Sequence, residues 1–288
     1  MKIKDVTFLV IAFFIIVFAA IYNKTTPPEL IIKEVKLDSI EQIIDMDDSL
    51  VVPVIYDTLL IEANAPVKVR KKQFINQVLP AILIVRYQLD KKTDQVKAII
   101  QQIENDIPIS SRDSVFIDSL KVRYRAESYE NLLVRLEPNP ISLVLAQAAV
   151  ESGWGLSRFA TEGKNLFGVW TVSSDKNIIK SLHDRGEQQI FVKRYNSIAE
   201  SIDHYFLTLG RHNAYRKFRQ KRFEQDDVFE MIKELDRYSE QGEAYTLLIR
   251  KVIGWNDLQK YDNYKIDPQY IIQKKWIKVQ FEKVINPY

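Results

Sequence analysis

This chain of 288 residues contains no cysteine, and it has only three histidines and eight glycines. Because cysteine is absent, disulfide bonds, thiolate catalysis, cysteine metal sites and a lipid-anchored N-terminal cysteine are excluded. His183, His204 and His212 show no HExxH or other metal-ligand spacing. The sequence also lacks a Gly-rich phosphate loop and a Gly-x-Ser-x-Gly nucleophile motif. We therefore expect no metal and no cofactor.

Charge is spread unevenly along the chain. Residues 1–64 carry 5 Lys/Arg against 10 Asp/Glu, a net charge of −5, and the remaining residues carry a net charge of +8. A basic globular part suits an anionic polymer such as nucleic acid, an acidic membrane surface or an acidic cell-wall glycan. The alternative is an ordinary solvated surface, since this excess is mild.

The N-terminus predicts a membrane segment. Lys2 and Lys4 precede Val6–Tyr22, a run of seventeen residues without a charge, which is at the lower limit for a membrane-spanning helix. The charges on its N-terminal side favour export of the rest of the chain. Residues 1–22 are interpreted as a signal anchor, with cleavage after Ala19 or Ala20 as the alternative. We expect a location in the cell envelope, anchored in the inner membrane and facing the periplasm, or periplasmic or secreted after cleavage.

The rest of the chain divides into three parts. Residues 23–65 are acidic and contain a β-prone stretch, and they are predicted to be a tether that lies extended along the folded domain. Residues 66–257 show helical spacing of apolar residues and form the predicted catalytic domain with an N-terminal helical extension. Pro80 is expected either to kink the first helix or to begin a new one. Residues 258–288 form an aromatic, basic tail with no assigned role.

The fold class predicted from these patterns is α+β and mostly helical. Ser110 and Ser197 occupy positions that suit helix N-caps. Residues 169–195 alternate in polarity and are broken by polar turns, which predicts two or three short strands. The expected architecture is a helical domain with one small β-hairpin lobe.

Glu151 lies at the end of the most apolar stretch of this domain. Residues 141–150 are almost entirely Ile, Leu, Val and Ala, which predicts a helix buried on all sides. Pro140 suits the start of this helix, and Gly153 and Gly155 suit its end. Burial and the negative end of the helix dipole both raise a carboxyl pKa, towards the value that a general acid needs. In the alternative interpretation, Glu151 points into water as an ordinary helix-terminal residue.

Aromatic residues cluster after Glu151 and offer surfaces on which sugars or bases could stack. Each of them alone is more often a core residue than a ligand contact. A carboxyl acid with aromatic residues and no metal suits cleavage of a glycosidic bond better than phosphoryl or acyl transfer. The residues are Trp154, Phe167, Trp170, Tyr195, Tyr205 and Tyr215.

Several motifs resemble a known family. AQAAVESGWGLSRFA, GKNLFGVW and YNSIAES are similar to the glucosaminidase domain of glycoside hydrolase family 73, and LDRYSEQGEAY resembles its bacterial Bax-type members. The resemblance implies a lysozyme-like α+β fold and hydrolysis of the β-1,4 bond after N-acetylglucosamine in peptidoglycan, with Glu151 as the catalytic acid. The expected partners are peptidoglycan glycan strands and, through the N-terminal helix, the membrane. No nucleic acid is expected, and the protein is expected to be a monomer.

The resemblance also implies a second carboxylate on the β-lobe, at a position that varies within the family. Glu187 is the best-placed candidate, followed by Asp184 and Asp175. This group would be a base in an inverting enzyme or a nucleophile in a retaining one, and assistance by the substrate's N-acetyl group is a third route. Glu200 is interpreted as part of a helix cap. The substrate contacts expected around Glu151 are Trp154, Asn165, Phe167, Trp170 and Tyr195.

Two classes of function follow from these observations. The first is an exported endo-β-N-acetylglucosaminidase. The second is a wall-binding or morphogenetic protein that keeps the fold but lacks turnover or depends on a partner. A lytic transglycosylase also carries Glu-Ser at a helix end, but the Gly-Leu-Met-Gln stretch of many such enzymes is missing here.

Overall fold

The computed structural model describes residues 28–46, 48–171, 177–180 and 191–273. The predicted membrane segment, Val6–Tyr22, lies outside the described residues, as do the candidate carboxylates Glu187, Asp184 and Asp175. Within the described ranges, no helix has both the length and the apolar character needed to cross a bilayer.

The chain divides into two compact units. The larger one is Lys33–Ile266. In the smaller one, β1 (Glu29–Leu30) pairs antiparallel with β9 (Ile271–Ile272), with Leu30 opposite Ile271.

The larger unit is mostly helical, which confirms the predicted helical character of the domain. Its short strands form small two- and three-stranded sheets rather than one large sheet. The helices are α1 (Val67–Glu104), α2 (Ser111–Tyr124), α3 (Tyr129–Leu136), α4 (Ile141–Ser152), α5 (Arg158–Gly163), α6 (Ile198–Arg211), α7 (Arg216–Glu224), α8 (Val228–Ile232) and α9 (Glu243–Trp255).

Helix α1 is 38 residues long and runs through Pro80 without interruption. Pro80 therefore does not begin a new helix. Proline cannot donate the backbone hydrogen bond of its turn, which disfavours it in a helix interior. Residues 73–85 are all buried, so packing around the whole circumference holds the helix together at this point.

The segment before α1 is extended and packs on it. β2 (Lys33–Val35) pairs in parallel with β4 (Val54–Tyr56). The side-chain amide of Gln77 on α1 bonds both the backbone N–H and the carbonyl of Leu60, each at 2.9 Å. Buried apolar residues of this segment include Leu59, which is 3% exposed. The described part of this segment therefore contains paired strands and buried apolar side chains, and its role as a tether stays a prediction.

A small β-lobe follows α5. It consists of β5 (Trp170–Thr171), β6 (Ile178–Lys180) and β7 (Phe191–Lys193). β7 lies in the middle and pairs antiparallel with both neighbours. This lobe confirms the short strands predicted for residues 169–195.

Helix α4 is the centre of the core. Residues 141–149 are all buried, as the apolar run predicted. Pro140 at the N-cap has no side chain that could cap the helix, and Asp262 does so instead. The Asp262 carboxylate accepts hydrogen bonds from the Ser142 N–H at 2.8 Å and from the Ser142 hydroxyl at 2.7 Å. Part of the C-terminal segment thus has a structural role that the sequence did not reveal. Shortly after Asp262 in the sequence, β8 (Lys265–Ile266) pairs in parallel with β3 (Leu50–Val51).

Candidate active site

Glu151 occupies the last turn of α4. The helix ends because Gly153 adopts a left-handed conformation with φ of 60°, which glycine tolerates without strain. The N–H of Trp154 then closes the turn on the Ala149 carbonyl at 2.8 Å. The Glu151 side chain is partly buried, so it does not project into water as an ordinary terminal residue would.

A chain of hydrogen bonds runs from Glu151 into the core. The Tyr245 hydroxyl on α9 donates to Glu151 Oε1 at 2.8 Å. Gln147, one turn before Glu151, donates to the Tyr245 oxygen at 3.0 Å and accepts from the Tyr205 hydroxyl at 2.6 Å. The Tyr205 ring stacks on Phe167 with centroids 4.2 Å apart. The carboxyl group is therefore held in one orientation by three helices, α4, α6 and α9.

The electrostatics of this chain favour a protonated carboxyl. Burial raises the pKa of Glu151, and the hydrogen bond from Tyr245 lowers it by a smaller amount, so the pKa lies above its ordinary value. Burial, together with the negative charge of Glu151, raises the pKa of Tyr245. Tyr245 therefore stays protonated, and its hydroxyl remains a hydrogen-bond donor to the Glu151 carboxylate.

Three tyrosine rings lead away from Glu151. Tyr245 stacks on Tyr238 with a centroid distance of 5.4 Å and an interplanar angle of 13°. Tyr238 lies 6.1 Å from Tyr215. Sequence reasoning assigned no role to Tyr238 or Tyr245. The sequence feature that could have identified them is the LDRYSEQGEAY motif. It contains both tyrosines, seven residues apart, on either side of the turn that leads into α9.

Two predicted sugar-contact residues keep part of their rings accessible. Trp170 on β5 is 56% exposed. Trp154 is partly buried, with its ring edge-to-face on Phe74 at 5.6 Å and the Lys71 ammonium 4.7 Å from its centroid. Sugar stacking by these two rings stays a prediction.

Asn165 braces the β-lobe. Its side chain is 1% exposed. Its amide donates to the carbonyls of Val169 at 3.0 Å and Lys193 at 2.8 Å, and it accepts from the Val169 N–H at 3.0 Å. Both amide hydrogens of Asn165 are therefore used within the protein. Asn165 could donate a hydrogen bond to substrate only if this loop changed its conformation.

Tyr195 and Phe167 are also enclosed, at 2% and 7% exposure. The Tyr195 hydroxyl lies 2.5 Å from Nδ1 of His204 on α6. Burial raises the pKa of Tyr195 and lowers that of His204, so both groups are held neutral. Both side chains are buried within the domain. The substrate contacts predicted for them stay predictions.

Among the described residues, no carboxylate or cation is paired with Glu151, and no group of His, Asp or Glu side chains is placed to hold a metal ion. The catalytic role predicted for Glu187 stays a prediction, because that residue lies outside the described part. What the described site offers is one carboxyl group of raised pKa, held by a tyrosine hydroxyl. Such a group is equipped to donate a proton to a leaving oxygen.

The described part of the chain combines a mostly helical domain, a small β-lobe and an acidic group of raised pKa at the end of a core helix, which are the features expected of a carbohydrate-cleaving enzyme of the type that the motifs indicated. The family model described as mannosyl-glycoprotein endo-beta-N-acetylglucosaminidase, or glucosaminidase, matches residues 126–273. This match covers more than half of the chain, and the chain belongs to this family of glycoside hydrolases. The matched residues include Glu151 and the tyrosines whose rings lead away from it, Tyr215, Tyr238 and Tyr245.

Individual proteins are similar to this chain over shorter or more distant matches. Protein bax of Escherichia coli is 26% identical over 186 residues, which cover 61% of this chain and 66% of that protein, just under two thirds of its length. The catalytic domain of the autolysin Auto from Listeria monocytogenes is 21% identical, with a TM-score of 0.37, over 56% of this chain and 96% of that one. A peptidoglycan hydrolase from Sphingomonas sp. A1 is also 21% identical, with a TM-score of 0.36, over 49% and 92%.

Proposed function

We propose that this protein is an exported peptidoglycan hydrolase that cleaves the β-1,4 glycosidic bond after N-acetylglucosamine, with Glu151 as the general acid. The observation that carries the proposal is the Glu151 carboxyl at the end of the buried helix α4, with a raised pKa and a hydrogen bond from Tyr245. Membership of the glucosaminidase family supports the sugar and the bond. The resemblance of the motifs around Glu151 to the glucosaminidase domain of glycoside hydrolase family 73 supports peptidoglycan as the polymer.

In the proposed reaction, protonated Glu151 gives its proton to the bridging oxygen as the bond from C1 of N-acetylglucosamine to that oxygen breaks. The positive charge that develops at C1 is quenched by a water molecule, whose hydroxyl stays on C1 and becomes the new reducing end. The second water proton leaves through a base. Tyr245 holds the carboxyl in position and stabilises the carboxylate that remains after the proton has moved.

The group that assists at C1 is proposed to be Glu187, on the segment between β6 and β7. As a base it would take the water proton, and as a nucleophile it would bond to C1 before water replaces it. The N-acetyl group of the substrate is the remaining candidate. The exposed ring of Trp170 on the same lobe is proposed to stack on a sugar of the strand.

The Glu187 assignment predicts a large loss of activity in Glu187→Gln. Turnover should fall by at least about 100-fold, the order expected when an acid–base partner is removed. The rate of reducing-end release measures this effect. Asp184→Asn is the comparison within the same segment and should stay within about threefold of wild type. Near-wild-type turnover of Glu187→Gln would remove this residue from the mechanism.

The bond that is cut can be read from the products. Purified peptidoglycan is digested with the full chain in detergent, and the new ends are identified by mass spectrometry. The proposal predicts reducing N-acetylglucosamine ends. Reducing N-acetylmuramic acid would show a muramidase, anhydro ends a transglycosylase, and binding without products a wall-binding protein of the same fold, and each of these outcomes would contradict the proposal.

The proposed location is the cell envelope. Lys2, Lys4 and the apolar run Val6–Tyr22 support an N-terminal anchor in the inner membrane with the remaining chain on the periplasmic side. N-terminal sequencing of the mature protein tests the anchor, since a start at Ala20 or Ile21 would show that the segment is cleaved.

A further inference from the structure

A polar cavity lies between α3, α7 and the turn that connects α6 to α7. Its volume is about 390 Å³. Three arginines line it together with two asparagines and one carboxylate, namely Arg135, Arg216, Arg219, Asn131, Asn213 and Glu127. The cavity is separate from the Glu151 carboxyl, and the proposed reaction makes no use of it.

Arg135 is buried against this cavity, and it forms no ion pair with a carboxylate of the described residues, although the charge of Glu127 acts on it from a longer distance. Its side chain is 6% exposed. Nε donates to Asn131 Oδ1 at 2.7 Å, and Nη1 donates to the backbone carbonyls of Tyr124, Gly210 and Arg211 at 3.1–3.2 Å. All these acceptors are neutral, although a buried guanidinium is normally balanced by a negative charge.

Arg219 repeats this arrangement from the other wall. It is 2% exposed, and its Nη1 donates to the carbonyls of Leu209 at 2.8 Å and His212 at 2.7 Å. In the described part of the chain, neither Arg219 nor Arg135 nor the exposed Arg216 forms an ion pair.

The two buried guanidinium groups still have hydrogens to donate. Nε and Nη2 of Arg219 and Nη2 of Arg135 make no hydrogen bond to any described residue. None of these three nitrogens is among the buried side-chain atoms that are sealed from solvent without a partner. These nitrogens are therefore in contact with solvent in the cavity that both arginines line, where they could donate hydrogen bonds to a bound acceptor.

The local charge favours an anion. Burial first, and then repulsion from Arg135 and Arg216, lowers the pKa of Arg219 to about 10, so the three cations lie close enough to disfavour one another. Glu127 is the carboxylate that faces them. It is exposed and interacts with Arg135 without forming an ion pair, so three positive charges still face one negative charge around the cavity.

We propose that this cavity binds an oxyanion group, and that its occupant is the C-terminal carboxylate of a short peptide attached to the glycan substrate. The planar fork of a guanidinium matches the two oxygens of a carboxylate, and two buried arginines present such donors here. The identity of the occupant rests on the proposed function, because peptidoglycan carries peptides on its sugars. The binding of an oxyanion does not rest on it.

The tyrosine rings connect this cavity to Glu151 along the protein. Tyr215 immediately precedes Arg216, and its ring lies beside Tyr238, which stacks on Tyr245. Tyr245 donates to Glu151. Because Tyr245 is only 3% exposed, this row of rings connects the two sites through the protein interior, and a peptide branch would reach the arginines over the surface outside it.

The first test measures binding by calorimetry, with the full chain in detergent. The probes are N-acetyl-D-alanyl-D-alanine, its C-terminal amide and inorganic phosphate. Saturable binding of the acid, at least about tenfold tighter than that of the amide, supports the proposal, since the amide lacks the charge that strengthens such hydrogen bonds. Binding of phosphate alone would overturn the occupant, and binding of no probe would overturn the site.

Two variants locate the binding. Asn131→Asp places a carboxylate of the same shape beside Arg135 Nε and should weaken binding of the acid at least about tenfold without lowering the melting temperature. Arg216→Gln removes one exposed cation of the cavity and should also weaken binding. Lys217→Gln is the matched control, because it removes the same charge from the next residue of α7, which does not line this cavity. Equal weakening by Arg216→Gln and Lys217→Gln would show that only overall charge matters and would contradict the site.

Cleavage assays separate this inference from the proposed function. On peptide-bearing strands, Asn131→Asp should raise KM at least about fivefold and leave kcat unchanged, as expected when a contact made equally in the ground and transition states is lost. On strands stripped of peptides, KM should equal that of wild type. If wild type cleaves neither substrate but still binds the peptide acid, the proposed function fails and the oxyanion site stands. An equal KM effect on both substrates would overturn the peptide occupant.

Discussion

At the scale of single residues, Gln147 determines how Glu151 is held. It is a fully buried amide in a mostly apolar helix, and it links the hydroxyls of Tyr205 and Tyr245. A buried polar group left without partners costs about 1–3 kcal/mol, so this residue is tolerated only because both tyrosines face it. The carboxyl of Glu151 is therefore positioned by side chains that are close in space and far apart in sequence.

Tyr245→Phe should move the pH dependence of the enzyme. The Tyr245 hydroxyl donates to the ionised carboxylate and so lowers the pKa of Glu151. Without this hydroxyl the pKa rises further, Glu151 stays protonated to higher pH, and the alkaline limb of the kcat/KM profile shifts to higher pH. The variant should also lose about 1 kcal/mol of unfolding free energy, since the hydrogen bond to Gln147 is lost.

Tyr238→Phe is the matched control for this experiment. It removes a hydroxyl from the neighbouring ring of the same stack, and that hydroxyl makes no hydrogen bond to a described residue. Its pH profile should coincide with that of wild type. An unmoved or downward-shifted alkaline limb in Tyr245→Phe, or the same shift in both variants, would contradict the role given to Tyr245.

At the scale of elements, the end of α4 depends on two glycines with different surroundings. Gly153 has φ of 60°, and a methyl group there would meet no atom within 4 Å. Gly155 has φ of 80°, and a Cβ there would lie 2.7 Å from the Leu59 side chain and 3.0 Å from Phe74. The chain that follows Glu151 is thus pressed directly against α1 and the segment before it.

Gly155→Ala should destabilise the protein more than Gly153→Ala. Both substitutions place alanine in the left-handed region, at a cost of about 1 kcal/mol. Gly155→Ala adds overpacking of about 1–3 kcal/mol against Leu59 and Phe74. Denaturant unfolding of the two variants measures the difference, and equal unfolding free energies would show that the contact with Leu59 does not constrain this turn.

The sequence predicted the elements that rest on local signals. The buried helix followed from its apolar run, and the caps followed from Ser110 and Ser197, whose hydroxyls accept the N–H of the residue three positions on. The cap by Asp262 did not follow, because it joins residues 120 positions apart. Tyr245 was missed for the same reason, since 94 residues separate it from Glu151. Pro80 was uncertain because burial, rather than local preference, holds α1 together there.

At the scale of the whole molecule, the larger unit combines pieces from both ends of the chain. β3 near the N-terminus pairs with β8 near the C-terminus, and the segment before α1 supplies buried side chains such as Val54 and Tyr56. The helical character and the β-lobe were predictable from periodicity. Residues 23–65 were predicted to lie extended along the domain, but the side chains that they bury and the pairing of β3 with β8 were not predictable, because these contacts join positions far apart in the sequence.

The central claim is that Glu151 is the acid of a glycan-cleaving enzyme, and its most direct test is the rate at which new reducing ends are released from purified peptidoglycan by Glu151→Gln. Glutamine keeps the shape of the side chain but has no proton to give, so the rate should fall at least about 100-fold while the melting curve shows a folded protein. Glu162→Gln, the same change at an exposed position of α5, is the control and should match wild type. A folded Glu151→Gln variant that releases reducing ends at the wild-type rate would contradict the account.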